Sequence, residues 1–173
     1  MTQPQSQLRV RAAGPEDAAA LVALNNQLVS QTDLMVLLPI EPATGTGQLR
    51  ALLERQAIEG SRLILIADID GAPVGMAIGT ADPNPRYRGV VEMEVGVVQA
   101  AWGRGIGRIL MQLVERRWTE RGARRFQLRV LDRNERGLRL YRSLGYQEEG
   151  RLRCNVAMPD GSFADQVLMG KLV

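Results

Sequence analysis

The chain has 173 residues, 45% of them hydrophobic, and a formal net charge of +3 at pH 7, which together predict one domain spanning 1–173. No apolar run approaches the length of a membrane span, and the polar residues 1–7 lack a signal-peptide core, so we expect no membrane partner and a cytoplasmic location. The sequence holds no histidine, which excludes His general bases, Cys–His catalysis and most zinc sites, and we expect no metal. Its one cysteine, Cys154, excludes any internal disulfide.

In chain order, the apolar periodicities predict elements in the order β-α-α-β-β-β-α-β-α-β-β. Thr44 or Thr46 is expected to cap the second helix, 47–59, and the apolar residues of that helix, including Ile58, are expected to face the core. The other helices are expected at 14–30, between Gly107 and Gly122, and at 134–144. The strands are expected at 8–12, 63–69, 73–80, 88–98, 125–131, from 146 onward, and at 163–172. Hairpins followed by α/β alternation predict an α/β (α+β) fold, with a central mixed, mostly antiparallel sheet flanked by helices.

Basic residues are almost all arginine, and Lys171 is the only lysine. We interpret the arginines of the central helix, such as Arg116, Arg117 and Arg121, as a solvated face. A nucleic-acid-associated protein is an alternative. The sequence disfavours it because it shows neither an aromatic stripe interleaved with basic residues nor a recognised binding motif, so we expect no nucleic acid partner.

The most informative stretch is 95–109, where an apolar strand leads into a glycine-rich loop and then directly into an amphipathic helix. Unpaired N–H groups at a helix N-terminus favour an anion, and Gly103, Gly105 and Gly107 let the backbone approach it closely. Arg104 and Arg108 add positive charge beside the loop. The stretch predicts a site for a pyrophosphate-bearing ligand, and an ordinary glycine-rich turn before a helix is the alternative.

The spacing of this loop fits neither a Walker loop nor a dinucleotide-binding loop. Residues Trp102 to Gly107, with Ile106 between the last two glycines, resemble the R/Q-x-x-G-x-G/A pyrophosphate loop of the GNAT superfamily of acyl-CoA-dependent N-acetyltransferases. The departure is Trp102, where the family has Arg or Gln, so the phosphate cradle is expected mostly from backbone N–H groups.

Two further stretches support the same resemblance. The stretch 128–146 looks like the family's second signature, in which a strand is followed by Asn134, a helix bearing Tyr141, and Leu-Gly-Tyr. The stretch 160–169 resembles the D-G-x-x-x-D-x-x-x-M ending common in relatives that acetylate amino acids or protein N-termini. The order of the elements is that of the GNAT fold, so the resemblance covers nearly the whole chain.

The resemblance implies acetyl-CoA as cosubstrate and assigns roles to individual residues. Tyr141 would be the acid that protonates the departing thiolate, because a pKa near ~10 keeps its hydroxyl protonated at neutral pH. The residues expected to bind acetyl-CoA are Val95, Gly96 and Val97 at the pantetheine, Trp102, Gly103, Arg104, Gly105, Ile106, Gly107 and Arg108 at the pyrophosphate, and Asn134 and Tyr141 at the thiol end.

A base must take a proton from the acceptor amine, and the absence of histidine requires a carboxylate or a water chain. Glu92 and Glu94 lie two residues apart and therefore on one face of a strand, where crowded acids raise each other's pKa. We rank Glu92 ahead of Glu94, and a solvent-exposed strand face is the alternative. A covalent intermediate on Cys154 is disfavoured, since direct transfer is the rule in this family and no His partner is available.

The sequence therefore predicts an N-acetyltransferase that moves acetyl from acetyl-CoA to a primary amine, such as an amino acid, an analogue or a peptide N-terminus. A non-catalytic acyl-CoA-binding module of the same fold is the alternative. The apolar segment 34–40 is either a loop packed on the core or a wall of the acceptor pocket. Dimers are common in this family, so a homodimer stays open.

Overall fold

The computed structural model of this protein describes residues 7–36 and 40–173. Residues 1–6 of the polar N-terminus and residues 37–39 of the predicted apolar segment lie outside this part. The helices and strands are β1 (Leu8–Ala12), α1 (Ala18–Gln31), α2 (Pro42–Glu59), β2 (Arg62–Ile69), β3 (Ala72–Ala81), β4 (Val90–Val97), α3 (Ile106–Thr119), β5 (Arg125–Leu131), α4 (Glu135–Ser143), β6 (Gln147–Ala157) and β7 (Phe163–Leu172). The predicted order of elements is confirmed.

The strands form one seven-stranded sheet in the order β1-β2-β3-β4-β5-β7-β6. All neighbouring pairs are antiparallel except β4 and β5, which run parallel over the pairs from Val90↔Arg125 to Glu92↔Gln127. In the described part of the chain these two strands share no pair beyond Glu92, whereas β3 follows β4 as far as Val97. The edge of β4 from 93 to 97 is therefore open on the β5 side.

Helix α3 packs its apolar face on the sheet, which fixes the loop that precedes it. Leu110, Met111 and Val114 are fully buried. A Cβ atom on Gly79 of β3 would lie 2.6 Å from Val114 Cγ1 and 2.5 Å from Trp118 Nε1, so only glycine lets helix and strand approach this closely. This packing sets the N-terminus of α3 against the open edge of β4.

Helix α2 differs from its predicted form at both ends. It begins at Pro42 rather than at residue 47, and Glu41 is the N-cap, with its carboxylate accepting a hydrogen bond from Thr44 N at 2.8 Å. A carboxylate performs the same capping role as the hydroxyls expected of Thr44 or Thr46, and proline fits a first helical turn. The inward placement of Ile58 was wrong, because its side chain is 88% exposed.

No helix in the described ranges is long and apolar enough to cross a bilayer. Within the same ranges, no group of three or more Cys, Asp or Glu residues has the arrangement needed to hold a metal ion.

Candidate active site

Two cavities meet where β4 and β5 diverge. The first, which we call the acidic cavity, has a volume of about 370 Å³ and contains Glu92 and Glu94. The second, the glycine-loop cavity, has a volume of about 300 Å³ and lies between the N-termini of α3 and α4. The residues that line both cavities are Leu34, Met35, Val95, Gly96, Asn134 and Tyr141. A group bound at this junction is within reach of side chains from both sides.

The glycine-loop cavity has the form expected of a phosphate cradle. Gly103 and Gly105 have positive φ angles of +77° and +76°, and a Cβ atom on either would meet no protein atom within 4 Å. Helix α3 begins at Ile106, and the cavity is lined by Ile106, Gly107 and Arg108, whose N–H groups precede the first intrahelical bond. Open space, unpaired N–H groups and the positive end of a helix dipole fit a pyrophosphate.

The predicted cationic residues of this loop are placed differently from one another. Arg108 lines the cavity and donates a hydrogen bond to Ser143 Oγ at 2.6 Å, whereas Arg104 is exposed and lines neither cavity. Trp102 lines the cavity, and its indole N–H donates to the carbonyl of Val97 at 2.7 Å. Arg136 of α4, which the sequence did not single out, lies over the Trp102 ring at 4.3 Å from its centroid.

The open edge of β4 brings the predicted pantetheine-binding residues to the junction. Val95 and Gly96 line both cavities, and Val97 lines the glycine-loop cavity. A Cβ atom on Gly96 would lie 2.7 Å from Leu28 and 2.9 Å from Met35, so glycine lets the residues of α1 and the following loop pack against β4. Apart from the Val97 carbonyl, which accepts from Trp102, this edge has no strand partner on the β5 side in the described part of the chain and can pair with an extended ligand.

Asn134 is the N-cap of α4, and its side-chain oxygen accepts a hydrogen bond from Gly137 N at 2.9 Å. This cap holds the first turn of α4 in place beside both cavities. The residue lies where the sequence predicted it, beside Tyr141. Because its side-chain oxygen accepts this hydrogen bond, the donors available to a bound molecule are its amide N–H groups.

Tyr141 lies at the junction and is 9% exposed. Burial, and after it the negative charge of Glu94, raises the pKa of Tyr141 to about 12, above the ordinary value expected from the sequence. The hydroxyl is therefore protonated at neutral pH, as predicted, and is a weaker acid than an exposed tyrosine. The ring packs edge-on against Tyr146, with centroids 6.0 Å apart, which fixes its orientation.

Glu92 and Glu94 both line the acidic cavity, as expected for residues on one strand face, and both side chains stay partly open to solvent. Gln127 Nε2 donates to Glu92 Oε2 at 2.9 Å, and Arg129 Nε lies 3.9 Å from Glu92 Oε1. Within the described ranges, Glu94 has no such hydrogen-bond partner. Its side chain opens to the cavity, yet desolvation by the surrounding protein raises its pKa, Arg62 opposes this shift and the charge of Glu92 adds to it.

An apolar wall faces the two carboxylates across the acidic cavity. Leu34, Met35 and Val36 and, after the undescribed residues 37–39, Ile40 belong to this wall. Asn26 of α1 holds the end of the segment, since its amide donates to the carbonyl of Ile40 at 2.8 Å and its oxygen accepts from Ile40 N at 2.7 Å. The sequence left open whether this segment is a loop packed on the core or a wall of the acceptor pocket, and the described residues favour the pocket wall.

Cys154 lies on β6, exposed to solvent, and lines neither cavity. Its amide N–H is bonded to the Asp165 carboxylate at 2.8 Å, and its φ is +49°. The thiol is therefore remote from the junction, in agreement with the interpretation that it forms no covalent intermediate.

Comparison with known proteins gives one family. The sequence model described as the Acetyltransferase (GNAT) family matches residues 35–146. A GNAT-family acetyltransferase from Streptococcus pneumoniae is 30% identical, covering 96% of this chain and 100% of its own, with a TM-score of 0.90. A ribosomal-protein-alanine N-acetyltransferase from Brucella melitensis is 26% identical, covering 95% of this chain and 99% of its own, with a TM-score of 0.83. The Salmonella typhimurium protein yncA, solved with its cofactor acetyl-CoA, shares the fold at 22% identity over 96% of this chain and 94% of its own, with a TM-score of 0.84.

This chain belongs to the GNAT family of acetyltransferases. The family resemblance and the fold class predicted from the sequence are confirmed. Membership indicates acetyl transfer that depends on acetyl-CoA, and the glycine-loop cavity has the shape and backbone donors that such a molecule requires.

Proposed function

We propose that this protein transfers an acetyl group from acetyl-CoA to a primary amine by direct attack in a complex that holds both substrates. The meeting of the two cavities at Tyr141, Val95 and Gly96 is the observation that carries the proposal. Donor and acceptor would enter from opposite sides and meet there without a covalent enzyme intermediate. Suitable acceptors are an amino acid, an amino-acid analogue or a peptide N-terminus.

On the donor side, the pyrophosphate would lie on the loop Trp102–Arg108 and the pantetheine on the open edge Val95–Val97. Asn134, fixed as the cap of α4, would hold the thiol end together with Tyr141. These assignments are supported by the positive-φ glycines, the free strand edge and the shared lining of the junction. A backbone N–H near Val95 to Val97 would donate to the thioester oxygen as negative charge develops on it.

Glu94 is our choice for the base, ahead of Glu92. The carboxylate of Glu92 already accepts a hydrogen bond from Gln127 and faces Arg129, whereas the raised pKa of Glu94 brings it closer to neutrality. Directly or through a water, Glu94 would take a proton from the ammonium form of the acceptor. Only the neutral amine can attack the thioester carbon.

As the amine nitrogen bonds to the carbonyl carbon, the carbon–sulfur bond breaks and the electron pair stays on sulfur. Tyr141 would donate its proton to that thiolate and recover one through solvent or the acceptor. The products are an N-acetylated amine, free CoA and one proton. A buried hydroxyl that is protonated at neutral pH supports this role.

A panel of amines assayed for acetyl-CoA-dependent thiol release, with mass spectrometry of the product, tests the proposal. The panel should include apolar and acidic amino acids, their analogues, short peptides and polyamines. Turnover that acetylates nitrogen supports the proposal. Tight binding of acetyl-CoA without turnover on any of these amines contradicts it and favours the non-catalytic acyl-CoA-binding module.

A further inference from the structure

Trp102 is held in a fixed orientation at the entrance of the glycine-loop cavity. Its indole N–H donates to the Val97 carbonyl at 2.7 Å, which ties the ring to the end of β4. Arg136, in the first turn of α4, places its guanidinium 4.3 Å from the centre of that ring. Both side chains line the cavity, so the stacked pair joins β4 to α4 beside the glycine loop.

In the described part of the chain, no carboxylate forms an ion pair with the guanidinium of Arg136. The neighbouring Arg139, in contrast, pairs with Glu135 at 3.2 Å. An arginine stacked on an aromatic face keeps its in-plane N–H donors free, and those donors match the geometry of phosphate oxygens. The other arginine of the cavity, Arg108, is already bonded to Ser143.

We infer that Arg136, held in place by Trp102, is a pyrophosphate-binding residue of this enzyme. It supplies from α4 a phosphate-binding side chain in place of the Arg or Gln that the family pattern has at the first position of the loop, where this chain has Trp102. The inference rests on acetyl-CoA binding at the glycine-loop cavity. Trp102 then acts as a positioning residue, since it orients Arg136 rather than donating to the phosphate itself.

Calorimetric titration of CoA into the wild type and an Arg136→Gln variant tests the inference. A lost charge-assisted bond to phosphate predicts that the dissociation constant rises about tenfold or more. Arg139→Gln is the matched control, because it removes the same charge from the same helix outside the cavity and should leave affinity unchanged. Trp102→Leu, which removes the ring without adding a phosphate donor, should weaken binding to a similar extent, and adding it to Arg136→Gln should cost little more, since the two side chains act as a unit.

Two further measurements separate the pyrophosphate from other contacts. Dephospho-CoA keeps the pyrophosphate and lacks the 3′-phosphate, so the penalty of Arg136→Gln should persist with it. Raising the ionic strength should shrink the difference between Arg136→Gln and wild type, because salt screens a charge contact more than a packing contact.

Equal CoA affinity of wild type and Arg136→Gln overturns the inference. So does a loss of affinity in Arg136→Gln that disappears with dephospho-CoA or does not change with ionic strength. Circular dichroism and thermal melting of each variant establish that it is folded before titration. Failure of the wild type itself to bind CoA would instead contradict the proposed function, so the two failures are distinguishable.

Discussion

Tyr141 and Glu94 line the same cavity, and after burial it is the negative charge of Glu94 that raises the pKa of Tyr141. While Glu94 is ionised, the proposed base therefore adds to the effect of burial and makes the proposed acid harder to deprotonate. This is the pairing that amine acetylation needs, with a charged carboxylate on the acceptor side and a neutral hydroxyl near the thiol.

Replacing Tyr141 with Phe removes the hydroxyl and leaves the ring packed against Tyr146. We expect kcat to fall by about 10²–10⁴-fold, the range of a lost general acid, with the dissociation constant of acetyl-CoA nearly unchanged. Steady-state kinetics together with calorimetric titration separates the two effects. An unchanged kcat would remove Tyr141 from the chemistry.

The ranking of the two carboxylates is tested by Glu94→Gln and Glu92→Gln. Deprotonated Glu94 is required for proton transfer, so kcat/KM of the wild type should rise with pH through its raised pKa, and Glu94→Gln should lose that limb of the profile. Glu92→Gln should keep the rise of kcat/KM with pH, because the Glu92 carboxylate already accepts a hydrogen bond from Gln127 and is not the proposed base. Its kcat/KM should be lower than that of the wild type. The opposite pattern would assign the base to Glu92.

The same pKa shift has a consequence for stability. Because the pKa of Glu94 is raised in the folded protein, the native state holds its proton at a pH where the unfolded chain, with a pKa of about 4.3, has released it. The wild type should therefore lose stability relative to Glu94→Gln as the pH rises above about 4. Thermal melting of both proteins across this range measures the difference, and parallel curves would contradict the shift.

Gly105→Trp should abolish CoA binding, because its side chain would project into the open space of the glycine-loop cavity. Substitution also strains the backbone, since φ is +76° at this position. Gly122→Trp is the matched control, with φ of +90° and open space around it, but outside both cavities. If calorimetry shows that both variants lose CoA affinity equally, the loss reflects strain and not the cavity.

Buried Glu115 of α3 accepts hydrogen bonds from the Tyr146 hydroxyl at 2.8 Å and from Lys171 Nζ at 2.6 Å. Lys171→Met leaves that carboxylate without its cation, and we expect the free energy of unfolding to fall by roughly 2–3 kcal/mol. Adding Glu115→Gln removes the buried carboxylate charge that has lost its cation, and it should recover most of the lost free energy of unfolding. Urea unfolding of the three variants measures this, and equal stability of the single and double variants would contradict it.

The sequence predicted the order of elements well because most strands and helices carry an apolar period of their own, and the helices α2, α3 and α4 end close to Gly60, Gly122 and Gly145. It predicted that a helix follows the glycine loop and that another begins at Asn134, because helix starts depend on local sequence, whereas the cofactor-binding roles of these residues come from the family resemblance. The start of α2 was missed, since Glu41 caps a helix less often than the threonines that follow it.

The ranking of Glu92 ahead of Glu94 could not anticipate contacts between distant segments. The two residues are equivalent by strand periodicity, and what distinguishes them is the pairing of Glu92 with Gln127 and Arg129 of β5 and the desolvation of Glu94. In the same way, nothing local to Arg136 indicates that it stacks on a tryptophan 34 positions earlier in the chain. Trp102 itself was noticed only as a departure from the family pattern.

The most direct test of the account is thiol release from acetyl-CoA in the presence of an amine panel, with the acetylated atom identified by mass spectrometry. We expect the wild type to acetylate nitrogen on at least one amine of the panel, and both Tyr141→Phe and Glu94→Gln to lose most of that rate while still binding acetyl-CoA. Product formation at full rate by both of these variants would contradict the assignment of the junction as the catalytic centre.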